Sequence, residues 1–242
     1  MYQALYRKYR PKTFDDVVGQ DVVVKTLKNA IINNKISHAY LFSGPRGCGK
    51  TSIAKIFARI ANCENNEKGM SCNKCVYCTQ SNEQDLDIIE IDAASNNGVE
   101  EIREINNKVN LVPSLGKYKI YIIDEVHMLT TGAFNALLKT LEEPPKHAIF
   151  ILATTDPHKV PVTILSRCQR FDFKKISEND IIKKLLEICD LEKIDIEEDA
   201  VAEIARLGDG SLRDSISILD QVAAYTKDKI TILDVHDVNG TI

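Results

Sequence analysis

The stretch GPRGCGKT, residues 44–51, sets two glycines, a lysine and a threonine at the spacing of a phosphate-binding loop. Glycines let successive backbone N–H groups close around phosphate oxygens, and a helix opening directly behind them adds the positive end of its dipole. The run Gly44, Pro45, Arg46, Gly47, Cys48, Gly49, Lys50, Thr51 and Ser52 therefore reads as the cradle of a nucleoside triphosphate. Lys50 would reach the β- and γ-phosphates, and the Thr51 hydroxyl would ligate magnesium. A second stretch, IYIIDEVHML at 120–129, is apolar until Asp124 and Glu125. Two adjacent acids can simply cap a helix. Beside a phosphate loop they divide the work of hydrolysis: Asp124 holds the magnesium, and Glu125 polarises the attacking water as a general base. A glutamate there points to hydrolysis rather than to kinase chemistry. His127 reads as a structural neighbour with no chemical role.

Four of the seven cysteines form the third group. Cys63, Cys72, Cys75 and Cys78 are spaced C-x8-C-x2-C-x2-C in a polar insert at about 62–79. Thiolates two residues apart can converge on one tetrahedral zinc, and a loop with little core of its own gains folding energy from such a staple. With sulfur in all four places the site is closed, so its zinc is structural. Cys168 lies far from the cluster and is no zinc ligand.

These groups need a scaffold to bring them together. Short β-branched runs alternate with helical stretches, the pattern of a parallel sheet covered on both faces. The strand candidates are 39–44, 87–93, 119–125 and 148–155, with 168–173 as a fifth. Beyond residue 173 helical patterns take over at 178–190, 197–207, 211–225 and from about Thr231. Ser177 and Ser211 are N-cap candidates, and Gly208 is a helix stop. The expected division is an α/β nucleotide-binding domain over 1–176 and a small all-α lid over 177–242.

A chain of 242 residues, 44% hydrophobic and 27% charged, can bury one large core or two smaller ones. Its longest apolar runs fall far short of the roughly 18 residues of a membrane span, and MYQALYRKYR lacks the apolar core of a signal peptide. The expectation is a cytoplasmic protein with no membrane partner. A net charge of −4 provides no general footprint for nucleic acid, so DNA contact requires a local patch or partner subunits.

A resemblance runs almost the length of the chain. It is carried by ALYRKYRPKTFDDVVGQ, HAYLFSGPRGCGKTS, the four-cysteine insert, IEIDAAS, IDEVHMLTTGAFNALLKTLEEPP, LATTDPHKVPVTILSRC and GSLRDSISILDQ. Together these closely resemble the gamma/tau family of bacterial DNA polymerase III clamp-loader subunits, in the AAA+ superfamily. The resemblance implies an AAA+ P-loop ATPase domain, a helical lid, and a third, collar domain that joins subunits into a ring. The sequence runs out near the close of the lid, so a collar-less chain is expected to be monomeric alone.

Position by position, the resemblance makes Thr155 of ATTDP the sensor of the γ-phosphate and Arg213 of GSLRD the second sensor, on the lid. Val17 and Val18, with Arg10 nearby, would line the adenine pocket. Arg167 of SRC would act in trans: its guanidinium is always charged and can bridge two phosphate oxygens of a neighbour's ATP. Implied cofactors are ATP, magnesium and structural zinc. Implied partners are delta, delta prime, further gamma/tau copies, the sliding clamp and primer-template DNA.

The favoured reading is a motor subunit that hydrolyses ATP to load the sliding clamp for DNA polymerase III. The alternatives are a non-catalytic subunit resembling delta prime, against which Lys50, Thr51 and Glu125 argue, and another AAA+ ATPase such as a branch-migration motor, against which the cysteine insert argues. No constellation of carboxylates suits nucleotide addition, so no polymerase site is expected.

Overall fold

The computed structural model describes residues 3–66, 68–80, 85–226 and 228–240. Positions 1–2, 67 and 81–84 of the expected α/β domain, 67 being in the expected zinc insert, and positions 227 and 241–242 of the expected lid lie outside the described residues. The elements run α1 (Leu5–Lys8), α2 (Asp21–Ile32), β1 (Ala39–Ser43), α3 (Lys50–Asn62), α4 (Val76–Gln80), β2 (Ile88–Asp92), α5 (Val99–Lys108) and β3 (Lys119–Asp124). They continue α6 (Thr131–Glu142), β4 (Ala148–Thr154), α7 (Val162–Leu165), β5 (Gln169–Asp172), α8 (Glu178–Glu192), α9 (Glu198–Leu207), α10 (Leu212–Tyr225) and α11 (Ile232–Asn239).

The five strands are all parallel, in the order β2-β3-β4-β1-β5. The continuous apolar runs make sense because side chains alternate between two covered faces. Tyr40, Phe42, Ile120, Ile122, Ile149 and Ile151 enter one core with α2 and α3. Leu41, Tyr121, Ile123, Phe150 and Leu152 enter the other, with α5 and α6. Fully burying one such side chain contributes roughly 1.5–3 kcal/mol, and truncating Phe42 or Phe150 to alanine would cost about 3–5 kcal/mol. Register pairs Ser43 with Thr154 and with Asp172, and Asp92 with Asp124. All five strands therefore end along one edge, where ligands of open α/β sheets bind.

Asp87, expected within a strand, instead precedes β2. Its buried carboxylate accepts the amides of Ser114, Leu115 and Gly116 at 2.6, 2.7 and 2.7 Å, fixing the loop that leads into β3. Three otherwise unmet N–H donors outweigh one more ladder residue.

A third core is built by α8 to α11. Ser177 and Ser211 cap α8 and α10 as expected, accepting from the Asp180 and Asp214 amides at 3.2 Å each. Thr231 and Asp234 cap α11 reciprocally. Gly208 does end α9, with a right-handed φ of −68°. The left-handed residues follow it, Asp209 at 46° and Gly210 at 81°. A Cβ at Gly208 would lie 1.9 Å from Ser215 Oγ and 3.0 Å from its Cβ, so glycine serves close packing there rather than backbone freedom. The helical core also takes in Leu5 of α1, whose N–H donates to Asp220 at 3.1 Å. The start of the chain thereby packs against its last helices.

Candidate functional site

A cavity of about 600 Å³ opens where the strand ends meet α10 and the N-terminal segment. That volume is in the range of small-molecule sites. Its floor is the loop between β1 and α3. Gly44, Gly47 and Gly49 have φ of 150°, 72° and 97°, conformations that side-chain-bearing residues rarely adopt. Two of them also sit under close approach: a Cβ at Gly44 would lie 2.5 Å from the Phe173 carbonyl oxygen, and one at Gly47 would lie 1.8 Å from Ser211 Oγ. Gly49 is the left-handed N-cap of α3, leaving the first amides of that helix pointed into the loop.

Residues 46–52 line the cavity, whereas Gly44 and Pro45 stand behind it. Their carbonyls accept the buried Lys50 ammonium at 2.8 and 2.6 Å. The ammonium is held by two carbonyls whose place an anionic phosphate could take. Pro45 also accepts the Cys48 thiol at 2.8 Å. Burial pushes that thiol's pKa up, against the opposing pull of Lys50, so Cys48 is a neutral packing residue.

Thr51 Oγ1 donates to Asp124 Oδ2 at 2.5 Å. A hydroxyl on α3 and a carboxylate at the end of β3 thus form the oxygen pair expected for magnesium, joined across 73 residues of sequence. Hard divalent cations take such oxygen donors, so the donor set fits the ion. Glu125 follows Asp124 in a left-handed conformation, φ 48° and ψ 43°. It lines the cavity, and its Oε2 accepts the Thr155 hydroxyl at 3.0 Å. Thr155 is exposed and reaches the site through Glu125.

Val17 and Val18 line the cavity, with Ile176, Leu212 and Ile216. Tyr6, Tyr9 and Pro11, which the sequence did not single out, line it as well. The Arg10 Nε donates to Ser52 Oγ at 3.0 Å. Arg213 is in the wall as well, its guanidinium carbon 5.2 Å from the centre of the Tyr6 ring. Burial and the Glu192 carboxylate push the Tyr9 hydroxyl up to about 12, so it stays a neutral donor, and it bonds Glu192.

Two further residues escaped the sequence reading. Gln20 is buried; its Nε2 donates to the Lys174 carbonyl at 2.7 Å and reaches the Cys48 carbonyl at 3.3 Å, while its Oε1 accepts the Lys174 amide at 3.2 Å. It joins the phosphate loop to the segment between β5 and α8. Ser43 donates to Asp172 at 2.5 Å, and that bond, with Arg170 beside it, holds the carboxyl below its ordinary range. Both lie in stretches that carry the family resemblance, but nothing local marks either as more than a polar residue beside an apolar run.

Arg167 is not in this cavity. It follows α7, donating from Nη2 to Glu142 at 2.8 Å and from Nη1 to the Thr163 carbonyl at 2.7 Å.

The four cysteines of the insert do converge. The sulfurs of Cys63, Cys72, Cys75 and Cys78 all lie within 4.8 Å of one another. Ligands about 2.3 Å from a tetrahedral zinc are roughly 3.8 Å apart, so a small contraction would fit the ion. Backbone amides are aimed at the sulfurs: Cys72 N–H at Cys63 (3.2 Å), Cys75 N–H at Cys72 (3.3 Å) and Cys78 N–H at Cys75 (3.4 Å). Such donors favour thiolate. Amides from Lys74 and Cys75 draw the Cys72 thiol down to about 6, while burial pushes Cys63 and Cys78 up. Burial likewise pushes Cys168 up to about 12 and Cys189 up to about 11, which leaves these remote thiols neutral.

The family model described as DNA polymerase III, delta subunit, matches residues 19–177, and the one described as DNA polymerase III clamp loader subunit, ATPase lid domain, matches 180–228. Over its whole length the chain is 56% identical to DNA polymerase III subunit tau of Bacillus subtilis (strain 168) and 48% identical to DNA polymerase III subunit tau of Escherichia coli (strain K12). It belongs to the DNA polymerase III gamma/tau family of clamp-loader subunits. This gamma/tau-family chain spans 43% of the length of the first relative and 38% of the second. Its fold is shared more widely. The Thermotoga maritima RuvB Holliday junction branch migration motor superposes with a TM-score of 0.68 at 21% identity, over 96% of this chain and 72% of that one. The expected class is therefore met: an AAA+ ATPase fold, a parallel sheet between helices, with a four-cysteine insert and a lid. No helix among the described residues is long and apolar enough to cross a membrane.

Proposed function

We propose that this chain is an ATP-hydrolysing motor subunit of the bacterial replicative clamp loader, coupling ATP binding and hydrolysis to loading of the sliding clamp on primed DNA. The observation that carries this reading is the Thr51–Asp124 contact at 2.5 Å, with Glu125 beside it, over a glycine-rich cradle. Residues 44–52 hold the triphosphate, and Lys50 exchanges its two loop carbonyls for the β- and γ-phosphates. Magnesium, when bound at Thr51 and Asp124, neutralises charge on the phosphates. Glu125 takes the proton of the attacking water.

Thr155 reports on the γ-phosphate from its place against Glu125. Arg213 comes to the phosphates from the lid, and Val17 and Val18 pack on the base. Arg167 serves the nucleotide of the adjacent subunit, consistent with its place outside its own cavity. Cys63, Cys72, Cys75 and Cys78 hold a structural zinc. The partners in this reading are delta, delta prime, further gamma/tau copies, the clamp and primer-template DNA.

A second reading is favoured by the delta-subunit match over 19–177: a stator that binds partners without hydrolysing ATP. An ATPase assay of the chain alone, then with the other loader subunits, clamp and primed DNA, separates the two. Turnover that rises on assembly and is lost in Glu125→Gln supports the motor. An assembled complex whose turnover is unchanged by Glu125→Gln leaves the stator.

A further inference from the structure

His127 lies in the short turn Val126–Met128 that follows the two acids. Its side chain is 10% exposed, and its Nδ1 is 2.9 Å from Thr154 Oγ1 and 3.3 Å from Glu125 Oε2. That same Glu125 oxygen accepts the Thr155 hydroxyl at 3.0 Å. The His127 ring nitrogen and the Thr155 hydroxyl, from two different elements, therefore both approach one oxygen of Glu125, with Oε1 outside both contacts. Glu125 itself is left-handed, φ 48°, a backbone state a non-glycine residue keeps only where its surroundings over-determine it.

A carboxylate only accepts, so Nδ1 must carry a proton to hold Glu125. Thr154 Oγ1 already accepts the Asp156 amide at 3.0 Å and has one proton of its own to give. With Nδ1 protonated, the imidazole spans Glu125 and Thr154. With the proton on Nε2 instead, Thr154 donates to Nδ1 and the hold on Glu125 is lost. The Glu125 carboxylate beside Nδ1 favours the first tautomer.

We propose that His127 is a positioning residue for the base: its Nδ1–H, together with the Thr155 hydroxyl, fixes the Glu125 carboxylate in the one orientation from which it meets the attacking water. This rests on the ATPase reading above. A base displaced by about 1 Å can lose 10²-fold in rate, so the effect belongs to the chemical step and not to nucleotide binding.

The test uses single-turnover ATP hydrolysis by this chain assembled with the other loader subunits, clamp and primed DNA, sites in excess over nucleotide, with ATP affinity measured separately. His127→Ala is expected to slow hydrolysis by about tenfold to a hundredfold with affinity within about twofold of wild type. The amide nitrogen of asparagine can occupy the place of Nδ1, whereas that of glutamine falls near Nε2. His127→Asn should therefore recover to within about threefold of wild type, and His127→Gln should be as slow as the alanine variant. The Asn and Gln pair carries the comparison even if alanine destabilises the turn. Hydrolysis as slow in His127→Asn as in His127→Gln overturns the proposal, as does wild-type or faster hydrolysis in His127→Ala. Glu125→Gln is run alongside. If it hydrolyses at the wild-type rate, both this role and the ATPase assignment of Glu125 fall; if it is inactive beside a full-speed His127→Ala, the positioning role alone falls.

Discussion

Arg167, just beyond α7, faces Glu142 at the end of α6, with Arg167 Nη2 2.8 Å from Glu142 Oε1. The two side chains are 34% and 48% exposed, so the pair contributes at most about 1 kcal/mol and can be given up at little cost. Held outside its own cavity by this pair and by the Thr163 carbonyl, both at the exposed surface, the arginine can exchange those partners for an incoming phosphate. Arg167→Ala is thus expected to leave the chain's own ATP affinity and melting temperature nearly unchanged. In an assembled loader it should lower turnover by about 10³-fold or more at the adjacent subunit's site. Mixed assemblies with turnover assigned site by site check this. Loss confined to the mutant's own site would rule the trans role out.

Lys50 donates two charge-assisted hydrogen bonds to its own loop, and nucleotide phosphates would replace those carbonyls. At about 1.5–3 kcal/mol each, removing them should weaken ATP binding by at least about 10²-fold. Lys50→Ala should keep its helical circular dichroism, because the ammonium enters no hydrophobic core. Titration calorimetry giving wild-type affinity would dismiss the phosphate assignment.

Gly47 and Ser211 bring the phosphate loop against the cap of α10. In Gly47→Ala the new methyl would lie 1.8 Å from Ser211 Oγ, at a φ of 72°. The backbone term alone is about 1–2 kcal/mol, which lowers the melting temperature by roughly 2–8 °C in a chain of this size. Displacing Ser211 also carries Arg213 away from the loop, so ATP affinity should fall. Adding Ser211→Gly restores the space, at a few tenths of a kcal/mol for the cap, and should recover affinity but not all of the melting temperature. A Gly47→Ala variant that binds ATP and melts like wild type would show that the two segments separate freely.

The cysteine cluster predicts one zinc per chain in protein purified without chelator, measured by elemental analysis. Cys75→Ser should lower that occupancy, and chelation should lower the melting temperature, because the insert has only a small core around Tyr77 to replace the ion. Nucleotide affinity should be unaffected, since none of the four cysteines lines the nucleotide cavity. Metal-free protein with an unchanged melt would dismiss a structural zinc.

The features the sequence determined are those whose geometry is local. A glycine-rich loop between a strand and a helix bends only one way, C-x2-C spacing brings two sulfurs together within a turn, and Ser177 and Ser211 cap helices three residues away. The strands were legible for a related reason: burial on both faces removes polar residues from the run, so β1, β3 and β4 show as apolar stretches. Where a polar residue could serve another segment, as Asp87 does, the strand boundary shifted. What only the tertiary structure decided are contacts between segments far apart in the chain. Gln20 meets Lys174 across 154 residues, Leu5 meets Asp220 across 215, and Gly47 lies against Ser211. The Glu125, His127 and Thr155 cluster is of the same kind, since β3 and β4 are neighbours in the sheet while the 23 residues 125–147, of helix and loop, separate them in the chain. No periodicity marks such pairs, because each is made by the packing of whole elements, and the free energy that holds them comes from cores to which the polar residues themselves contribute little.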